Sequence, residues 1–317
     1  MFPRLLRKLM VLLIFVFIAL FLFTHIKTKV IESNYPPTGK FVSLKNEGID
    51  IHYVRKGSGV PVLMLHGRDG TLQEFTLSIF DDLSGYYDVI ALDRPGYGYS
   101  TCPDPEKLST KAQAKIINEA LNTLEIEDPI LIGHSYGGAV MLQYLLDYPG
   151  QVRGAISLAG VAYVDEPPDK SFYALPEYPV LGPLLTHTVV LPAGTFLAPN
   201  IYSQAFYPAE APEEYVEVIS SLYLRPGQFT ATAYELSAMY DSVNAISPDY
   251  EQINVPVTII FGDSDKMLDH EEDGERLYHA LPGARYILIE NGGHKIHHTH
   301  PNIIIEALHD LVELTAK

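Results

Sequence analysis

A serine set between glycines follows a short apolar run near the middle of the chain. The segment Gly133-His134-Ser135-Tyr136-Gly137 has the form G-x-S-x-G and comes directly after a β-rich run. Small residues on both sides of a serine allow a sharp turn from a strand into a helix, and this turn lifts the hydroxyl out of the sheet edge toward solvent. Ser135 is therefore a candidate nucleophile for attack on a carbonyl group.

A serine nucleophile needs a base, and the base needs a carboxylate that orients it. Asp265 follows one apolar run in the second half of the chain, and His294 follows the next. If each run is a strand, the sheet brings both side chains to the same edge as Ser135. Two other carboxylates compete for the role of the acid: Asp263, two residues before Asp265, and Asp165, after the preceding strand. The plain alternative makes Asp265 a turn residue and His294 a solvated loop histidine.

Short β-rich runs alternate with helical patterns over most of the chain. The runs lie at 41–44, 49–54, 61–65, 89–92, 130–132, 155–158, 255–261 and 286–289. The clearest helix covers 111–124 and begins with a Thr110/Gln113 capping box, and a last helix covers 303–314. Buried strands separated by helices are typical of an α/β fold with a mostly parallel sheet and helices on both faces.

The stretch 161–250 breaks this alternation. It carries 11 of the 23 prolines, and its charges are two basic residues, Lys170 and Arg225, and eleven acidic ones. The stretch is too long for a simple loop, so we predict an inserted helical cap at the sheet edge where open α/β sheets bind ligands. Five cap aromatics, expected mainly in the cap's own core, are also candidates for an apolar pocket: Tyr173, Tyr178, Phe206, Tyr223 and Phe229.

From about residue 41 to its end, the chain resembles serine hydrolases of the α/β-hydrolase superfamily that carry a helical cap. Four motifs match in order: His66-Gly67, residues 93–100, the Ser135 elbow and the pair of Asp265 and His294. The resemblance implies an α/β-hydrolase core at 41–160 and 251–317 around the cap. It also implies a Ser-His-Asp triad, in which the family pattern Gly-x-x-Asp selects Asp265.

The resemblance further implies an oxyanion hole made by the backbone N–H groups of Arg68 and Tyr136, which would stabilise the charge that develops during acyl transfer. Because the donors are backbone groups, the Arg68 side chain remains free to attract an anionic substrate or to pair with Asp69, and we favour the pairing. Residues 93–100 are expected to shape the site without taking part in the chemistry.

The resemblance implies hydrolysis of a carboxylic ester through an acyl-enzyme, as in carboxylesterases and lipases, without a cofactor. Epoxide and haloalkane opening are disfavoured because those relatives place a carboxylate at the elbow. Cleavage of C–C or peptide bonds, perhydrolysis and lyase chemistry use the same triad and stay open. The alternative outside enzymes is a membrane-tethered binding protein on a hydrolase fold, which the intact triad disfavours.

A group of histidines near the C-terminus suggests a metal site as an alternative. The side chains of His294, His297, His298 and His300 have spacings that could reach one ion. No carboxylate stands at an obvious matching spacing, and His294 belongs to the predicted triad. We therefore expect no metal, and we expect the other three histidines at the solvated start of the last helix.

Composition and charge exclude other classes of protein. The net charge is −17 over 317 residues, which would repel a polyphosphate, so nucleic-acid binding is not expected. The single cysteine, Cys102, excludes an internal disulfide and a cysteine-based zinc cluster. A hydrophobic content of 47% is enough for a large core.

The N-terminus has the composition of a membrane segment. Residues 9–23 are apolar without interruption, and 24–26 extend the stretch to eighteen residues, which is within the length of a spanning helix. No small-residue cleavage site follows, so we predict an uncleaved signal anchor at 1–30 and a linker at 31–40. Arg4, Arg7 and Lys8 precede the stretch, against Lys27 and Lys29 after it. This bias predicts a single-pass protein with an extracytoplasmic catalytic domain.

Overall fold

The apolar runs form an eight-stranded sheet in the computed structural model, which describes residues 4–169 and 173–316. The first residues of the predicted anchor and Lys170 of the predicted cap lie outside the described residues. The strands are β1 (Lys40–Leu44), β2 (Ile49–Lys56), β3 (Pro61–Leu65), β4 (Asp88–Leu92), β5 (Ile130–His134), β6 (Gly154–Leu158), β7 (Val257–Gly262) and β8 (Arg285–Ile289).

The strand order is β1-β2-β4-β3-β5-β6-β7-β8, and strands β3 to β8 all run parallel. The first two strands form the antiparallel edge. Every residue of β4, β5, β6 and β7 is buried, as expected for parallel strands covered on both faces. The prediction of a mostly parallel α/β sheet is confirmed.

Seven longer helices are present in the described ranges: α1 (Arg4–Asn34), α2 (Thr110–Thr123), α3 (Tyr136–Asp147), α4 (Leu191–Gln204), α5 (Glu213–Tyr223), α6 (Pro226–Ile246) and α7 (Pro301–Leu314). Shorter helical turns occupy Gln73–Thr76, Phe80–Ser84, Pro105–Leu108, Leu175–Glu177, Leu181–Leu185, Thr186–Val190, Ser247–Gln252, His270–Glu275, Arg276–Ala280 and Ile296–Thr299. Along β3, Leu63 and Leu65 pack on one face with residues of α2 and α3, whereas Val62 and Met64 pack on the other with residues of α7.

The helix α2 begins differently from the prediction. Its N-cap is Ser109, whose hydroxyl accepts a hydrogen bond from the backbone N–H of Ala112 at 3.3 Å. Gln113 points inward, where its side chain donates to the backbone carbonyl of Leu108 at 2.8 Å. The predicted Thr110/Gln113 capping box is therefore wrong, because buried partners compete for the glutamine.

The chain between β6 and β7 carries the helices α4, α5 and α6. Because β6 and β7 are parallel neighbours, this segment leaves the sheet at its carboxyl edge, where ligands bind in open α/β sheets. The segment has an apolar cluster of its own that includes Phe206, Tyr215, Ile219 and Leu222. We keep the name cap for residues 161–250.

The N-terminal helix α1 extends beyond the predicted anchor. It continues to Asn34 and so includes four of the ten residues predicted as a linker. The extension packs on the protein, because Ile31 is buried in the apolar cluster of the cap. Two described helical segments, Arg4–Asn34 and Leu181–Gln204, are long and apolar enough to cross a membrane. The first is a candidate membrane anchor or signal sequence.

Candidate active site

Ser135 occupies a strained turn between β5 and α3. Its backbone has φ 52° and ψ −126°, a conformation that is unfavourable for a residue other than glycine. The backbone N–H of Ser135 donates to the carbonyl of Leu158 at 3.1 Å. A Cβ at Gly137 would lie 2.2 Å from the carbonyl oxygen of Leu65, so the turn requires glycine there. The predicted strand–turn–helix context of Ser135 is confirmed.

His294 and Asp265 form a hydrogen-bonded pair in the loops after β8 and β7. Nδ1 of His294 lies 2.8 Å from Oδ2 of Asp265, and both side chains are buried. Oδ1 of Asp265 accepts hydrogen bonds from the backbone N–H groups of Met267 at 2.7 Å and Leu268 at 3.1 Å. Burial raises the pKa of Asp265, but His294 and the two N–H donors outweigh burial and hold the pKa below its ordinary value.

The two competing carboxylates lie elsewhere. Oδ1 of Asp263 accepts from the backbone N–H of Asn291 at 2.8 Å and so joins the loops that follow β7 and β8. Asp165 forms an exposed pair with Arg276 at 3.1 Å. Neither carboxylate contacts His294 in the described part of the chain.

A cavity of about 530 Å³ lies between the cap and the carboxyl edge of the sheet, and Ser135 and His294 both line it. This volume is in the range of small-molecule sites, about 300–1,000 Å³. No hydrogen bond joins Ser135 Oγ to His294 in the described residues. Most of the wall is apolar and comes from the cap, including Val190, Leu197, Ala198, Ile201, Leu224 and Met239.

The cap aromatics divide among three environments. Tyr173, Tyr223 and Phe229 line the cavity and also belong to the apolar cluster of the cap or pack against it. Phe206 packs edge-on against the ring of Tyr215, with centroids 4.9 Å apart. Tyr178 is exposed, so the expectation of a core position is wrong for this residue.

The loop after β3 fixes the orientation of the peptide between Gly67 and Arg68. The carbonyl of Gly67 lies 2.8 Å from Nδ1 of His66 and accepts from Nη2 of Arg94 at 3.0 Å. Burial lowers the pKa of His66 to about 3, so the ring is neutral and donates from Nδ1. A trans peptide points its N–H away from its carbonyl. The N–H of Arg68 therefore faces away from the Arg94 guanidinium.

The side chain of Arg68 pairs with its neighbour. Nε of Arg68 lies 3.4 Å from Oδ2 of Asp69, which confirms the predicted pairing. The Arg68 guanidinium also lies over the ring of Tyr173, 5.5 Å from its centroid. Burial raises the pKa of Asp69.

The comparison with known families decides the superfamily. The family model for the alpha/beta hydrolase fold matches residues 60–301. The chain belongs to the α/β-hydrolase family. The eight-stranded sheet described above has the fold of this family. The chain is a hydrolase enzyme.

The relatives of this hydrolase are proteins of different kinds. An uncharacterized protein of Mycobacterium tuberculosis is 27% identical over 287 residues, which cover 88% of this chain and 82% of that protein. A non-heme chloroperoxidase of Kitasatospora aureofaciens is 24% identical over 79% of this chain and 90% of its own length. A shorter match, 33% identical over 38% of this chain, spans 32% of an acetyltransferase component of an acetoin cleaving system from Cupriavidus necator.

Among solved structures, an esterase from Exiguobacterium antarcticum superposes with a TM-score of 0.69 at 23% identity. The superposition covers 87% of this chain and all of that one. At this identity the likeness shows the shared fold.

A buried charged network lies against the site of the hydrolase, and the sequence did not predict it. Glu74 pairs with the ammonium of Lys295, and its Oε1 lies 3.2 Å from Nε2 of His297. The hydroxyl of Tyr215 donates to both oxygens of Glu74 at 3.0 and 3.1 Å. Burial raises the pKa of Glu74, but Lys295 and His297 hold it well below its ordinary value. Lys295 also lines the cavity.

This network corrects the expectation of solvated histidines for His297 and His298. His297 is fully buried, and His298 packs against Tyr215 with ring centroids 4.7 Å apart. The ring of His297 is buried against the carboxylate of Glu74, and the ring of His298 packs among aromatic side chains. Glu74, His134 and His297 have ligand atoms within 4.8 Å of one another, close enough for a metal ion. The ammonium of Lys295 already neutralises the carboxylate of this group.

A second buried pair ties the cap to the core. Arg94 and Glu235 are both fully buried and paired, with Nη2 of Arg94 3.1 Å from Oε2 of Glu235. The same guanidinium donates to the carbonyls of His66 at 2.7 Å and Gly67 at 3.0 Å. The position of Arg94 in the motif at 93–100 was visible in the sequence, but its partner on α6 was not.

Proposed function

We propose that this hydrolase is a membrane-anchored serine esterase that acts through an acyl-enzyme. The observation that carries the proposal is the meeting of two features in one apolar cavity. One is the strained elbow of Ser135, and the other is His294, whose Nδ1 is held by Asp265 at 2.8 Å.

In the proposed reaction, Ser135 Oγ attacks the carbonyl carbon of the ester while His294 Nε2 takes its proton. Asp265 holds Nδ1–H of the same ring, so the unprotonated nitrogen is Nε2. The imidazolium then protonates the leaving alcohol, and the acyl group stays on Ser135. A water molecule, deprotonated by His294, releases the acid. The hydrogen bond between Ser135 Oγ and His294 Nε2 is expected to form when substrate is bound, because catalytic hydrogen bonds tighten in the reacting complex.

The proposed oxyanion hole consists of the backbone N–H groups of Arg68 and Tyr136. Tyr136 is the first residue of α3, and the first N–H groups of a helix have no partner within the helix. The Arg68 N–H belongs to the peptide whose carbonyl is held by His66 and Arg94. Two fixed donors near the nucleophile would stabilise a tetrahedral oxyanion without reorganisation.

The cavity favours an ester with an apolar acyl group. Its wall comes largely from aliphatic and aromatic cap residues. Apart from tyrosines, its polar members are Arg68, Asp69, His134, Ser135, His294 and Lys295. The cap is acidic, which disfavours a strongly anionic substrate. Cleavage of C–C or peptide bonds and perhydrolysis remain outcomes of the test.

The proposed location is a membrane, with α1 as a single-pass anchor. The three basic residues Arg4, Arg7 and Lys8 before the apolar run favour a cytoplasmic N-terminus. The catalytic domain would then lie outside the cytoplasm.

The test uses the full chain in detergent micelles, with Ser135→Ala and the matched control Ser264→Ala. Ser264 lies in the exposed loop beside Asp263. We expect the wild type and Ser264→Ala to react with a fluorophosphonate and to hydrolyse p-nitrophenyl esters, and Ser135→Ala to do neither. Labelling without ester turnover would support Ser135 as the nucleophile and indicate that the enzyme acts on a bond other than an ester. No labelling of folded wild type would contradict the proposal.

A further inference from the structure

One stretch of the cap is unusually apolar for a protein with so many acidic groups. Residues 178–209 contain no Asp, Glu, Lys or Arg, although Glu177 and Glu210 stand at its two ends. Within this stretch the helical segment Leu181–Gln204 is long and apolar enough to cross a membrane. It does not span one here, because Gly194, Ala198 and Tyr202 on its inner side line the cavity.

The outer side of the same stretch exposes large apolar side chains. Val180 is 83% exposed and Phe196 is 85% exposed. We define the apolar surface of the cap by these two residues together with Leu181, Leu184, Leu197 and Ile201, all of them exposed. Large exposed apolar patches mark sites of interaction with a protein or a membrane, and these six residues concentrate exposed apolar side chains in one short stretch of the cap.

The helix α1 packs against the middle of this stretch. It contacts Thr186–Val190 and α4, and the rings of Phe21 and His187 lie 6.3 Å apart. Along the chain, the exposed apolar residues lie just before and just after the segment Thr186–Val190 that α1 contacts. If α1 is the anchor, the bilayer around it lies next to the cap segments that α1 contacts.

The position along α1 of the contact between Phe21 and His187 agrees with insertion of the cap helix at the membrane interface. Phe21 lies five residues before Ile26, the end of the apolar run, which is about 7.5 Å along a helix. An interfacial helix buries its apolar face about 5–10 Å into the boundary between headgroups and acyl chains. Polar contacts follow beyond the run: Glu32 of α1 lies 4.0 Å from Arg225, and Tyr35, directly after α1, donates to Glu217 at 2.7 Å.

The cavity opens toward the same surface. Leu197 and Ile201 line the cavity, yet they are 60% and 53% exposed. Met267, from the loop after β7, also lines the cavity and is exposed. A ligand that entered between these side chains would pass from the apolar surface directly to Ser135.

We propose that the apolar surface of the cap inserts into the bilayer that holds α1, and that the esterase takes its substrate, a membrane-partitioned ester with an aliphatic chain, from that bilayer. The insertion rests on the proposed anchor, and the choice of substrate rests on the proposed esterase function. The same helix would then provide the membrane contact with its outer side and the acyl pocket with its inner side.

The first arm of the test measures insertion without any catalysis. The full chain carrying Cys102→Ala is given one new cysteine by Phe196→Cys, or by the control Glu306→Cys on the exposed side of α7. Each is labelled with the fluorophore NBD and reconstituted into phosphatidylcholine vesicles with or without doxyl-labelled lipid. We expect doxyl lipid to reduce emission roughly twofold at position 196, with the strongest effect from a doxyl group near the headgroups, and to leave position 306 unchanged.

Two outcomes of this arm would overturn the insertion. An unquenched, water-like emission at position 196 would mean that the surface faces solvent. A blue-shifted emission without quenching by doxyl lipid would mean that a second copy of the chain covers the surface instead.

The second arm measures the source of the substrate with Val180→Ser/Leu181→Ser/Phe196→Ser, three residues that do not line the cavity. We expect kcat/KM for a long-chain ester embedded in vesicles to fall about tenfold, which the loss of three inserted apolar side chains can supply. Turnover of a short soluble ester should stay unchanged. An equal fall for both esters, or no fall for either, would refute uptake from the bilayer. Failure of the wild type on both esters would refute the esterase proposal and leave the quenching result to decide insertion.

Discussion

Asp273 offers a prediction about stability that can be worked from the structure. It lies in the turn His270–Glu275 after β7, and its Oδ1 accepts hydrogen bonds from the backbone N–H groups of Ala162 at 2.8 Å and Tyr163 at 3.1 Å. Burial raises the pKa of Asp273 to about 6, although these two donors oppose the shift. The ionised carboxylate thus joins the start of the cap to the core. Its burial, however, costs free energy of folding.

The sign and size of the effect follow from the two pKa values of this carboxyl group. Between its unfolded value of 3.8 and its folded value of about 6, the folded state binds more protons than the unfolded state. The stability from this group is therefore present at low pH and is lost as pH rises through the folded pKa. At about 1.36 kcal/mol per pKa unit, the cost above the folded pKa is about 3 kcal/mol.

The substitution Asp273→Asn tests this reasoning, because an amide oxygen can still accept from both N–H groups but carries no charge. We expect the variant to be more stable than the wild type at pH 8, by up to about 3 kcal/mol, with the advantage shrinking toward pH 4. Chemical unfolding of the full chain in detergent at both pH values measures the difference, with the exposed Asp241→Asn as the control. A variant that is less stable at pH 8, or a difference that does not change with pH, would refute the argument.

Three further predictions concern the site and its supports. Asp265→Asn should lower kcat for ester hydrolysis about 10⁴-fold, because an amide stabilises the wrong tautomer of the base, whereas the matched Asp263→Asn should stay near wild type in the same assay. Glu235→Gln should lower the free energy of unfolding by about 3–5 kcal/mol, because it leaves a buried guanidinium without its counter-charge. The exposed Glu214→Gln should change it by less than about 0.5 kcal/mol in the same denaturation, and equal effects would contradict the buried pairing. Gly67→Ala would place a Cβ 2.8 Å from the Cβ of the elbow serine and should lower kcat about 100-fold without unfolding the protein. Unchanged turnover would mean that the loop can make room for the added Cβ without disturbing the site.

The sequence predicted all eight strands. The prediction was most direct for β3 to β7, because parallel strands buried on both faces read as short, nearly continuous apolar runs. The positions of Ser135, Asp265 and His294 followed from the same reasoning, since all three lie just past strand ends. The network of Glu74, Lys295 and His297 could not be predicted this way. Its partners are more than 200 residues apart, and their pairing depends on how the loops pack above the sheet.

Tertiary pairing also explains the errors at the helix ends. Gln113 has the type and spacing of a capping residue, yet it turns inward because Arg94 and Glu235 form a buried charged centre beside it. His297 has the polarity of a surface residue, yet it is buried because Glu74 needs a donor. Local sequence preference predicts an element well, but a buried charge elsewhere in the chain overrides it at single positions.

The attachments of the cap determine which side of it can open to a substrate. On one side, α6 is held by the pair of Glu235 and Arg94, and the hydroxyl of Tyr97 also donates to Glu235 at 2.7 Å. Separating this buried pair would cost several kcal/mol, and it would release the guanidinium that holds the carbonyl of Gly67. On the other side, α4 presents exposed apolar side chains at the cavity. Local opening takes place where few buried contacts must break. We therefore expect substrate to enter past α4, beside the membrane helix, while α6 keeps the loop of the proposed oxyanion hole in place.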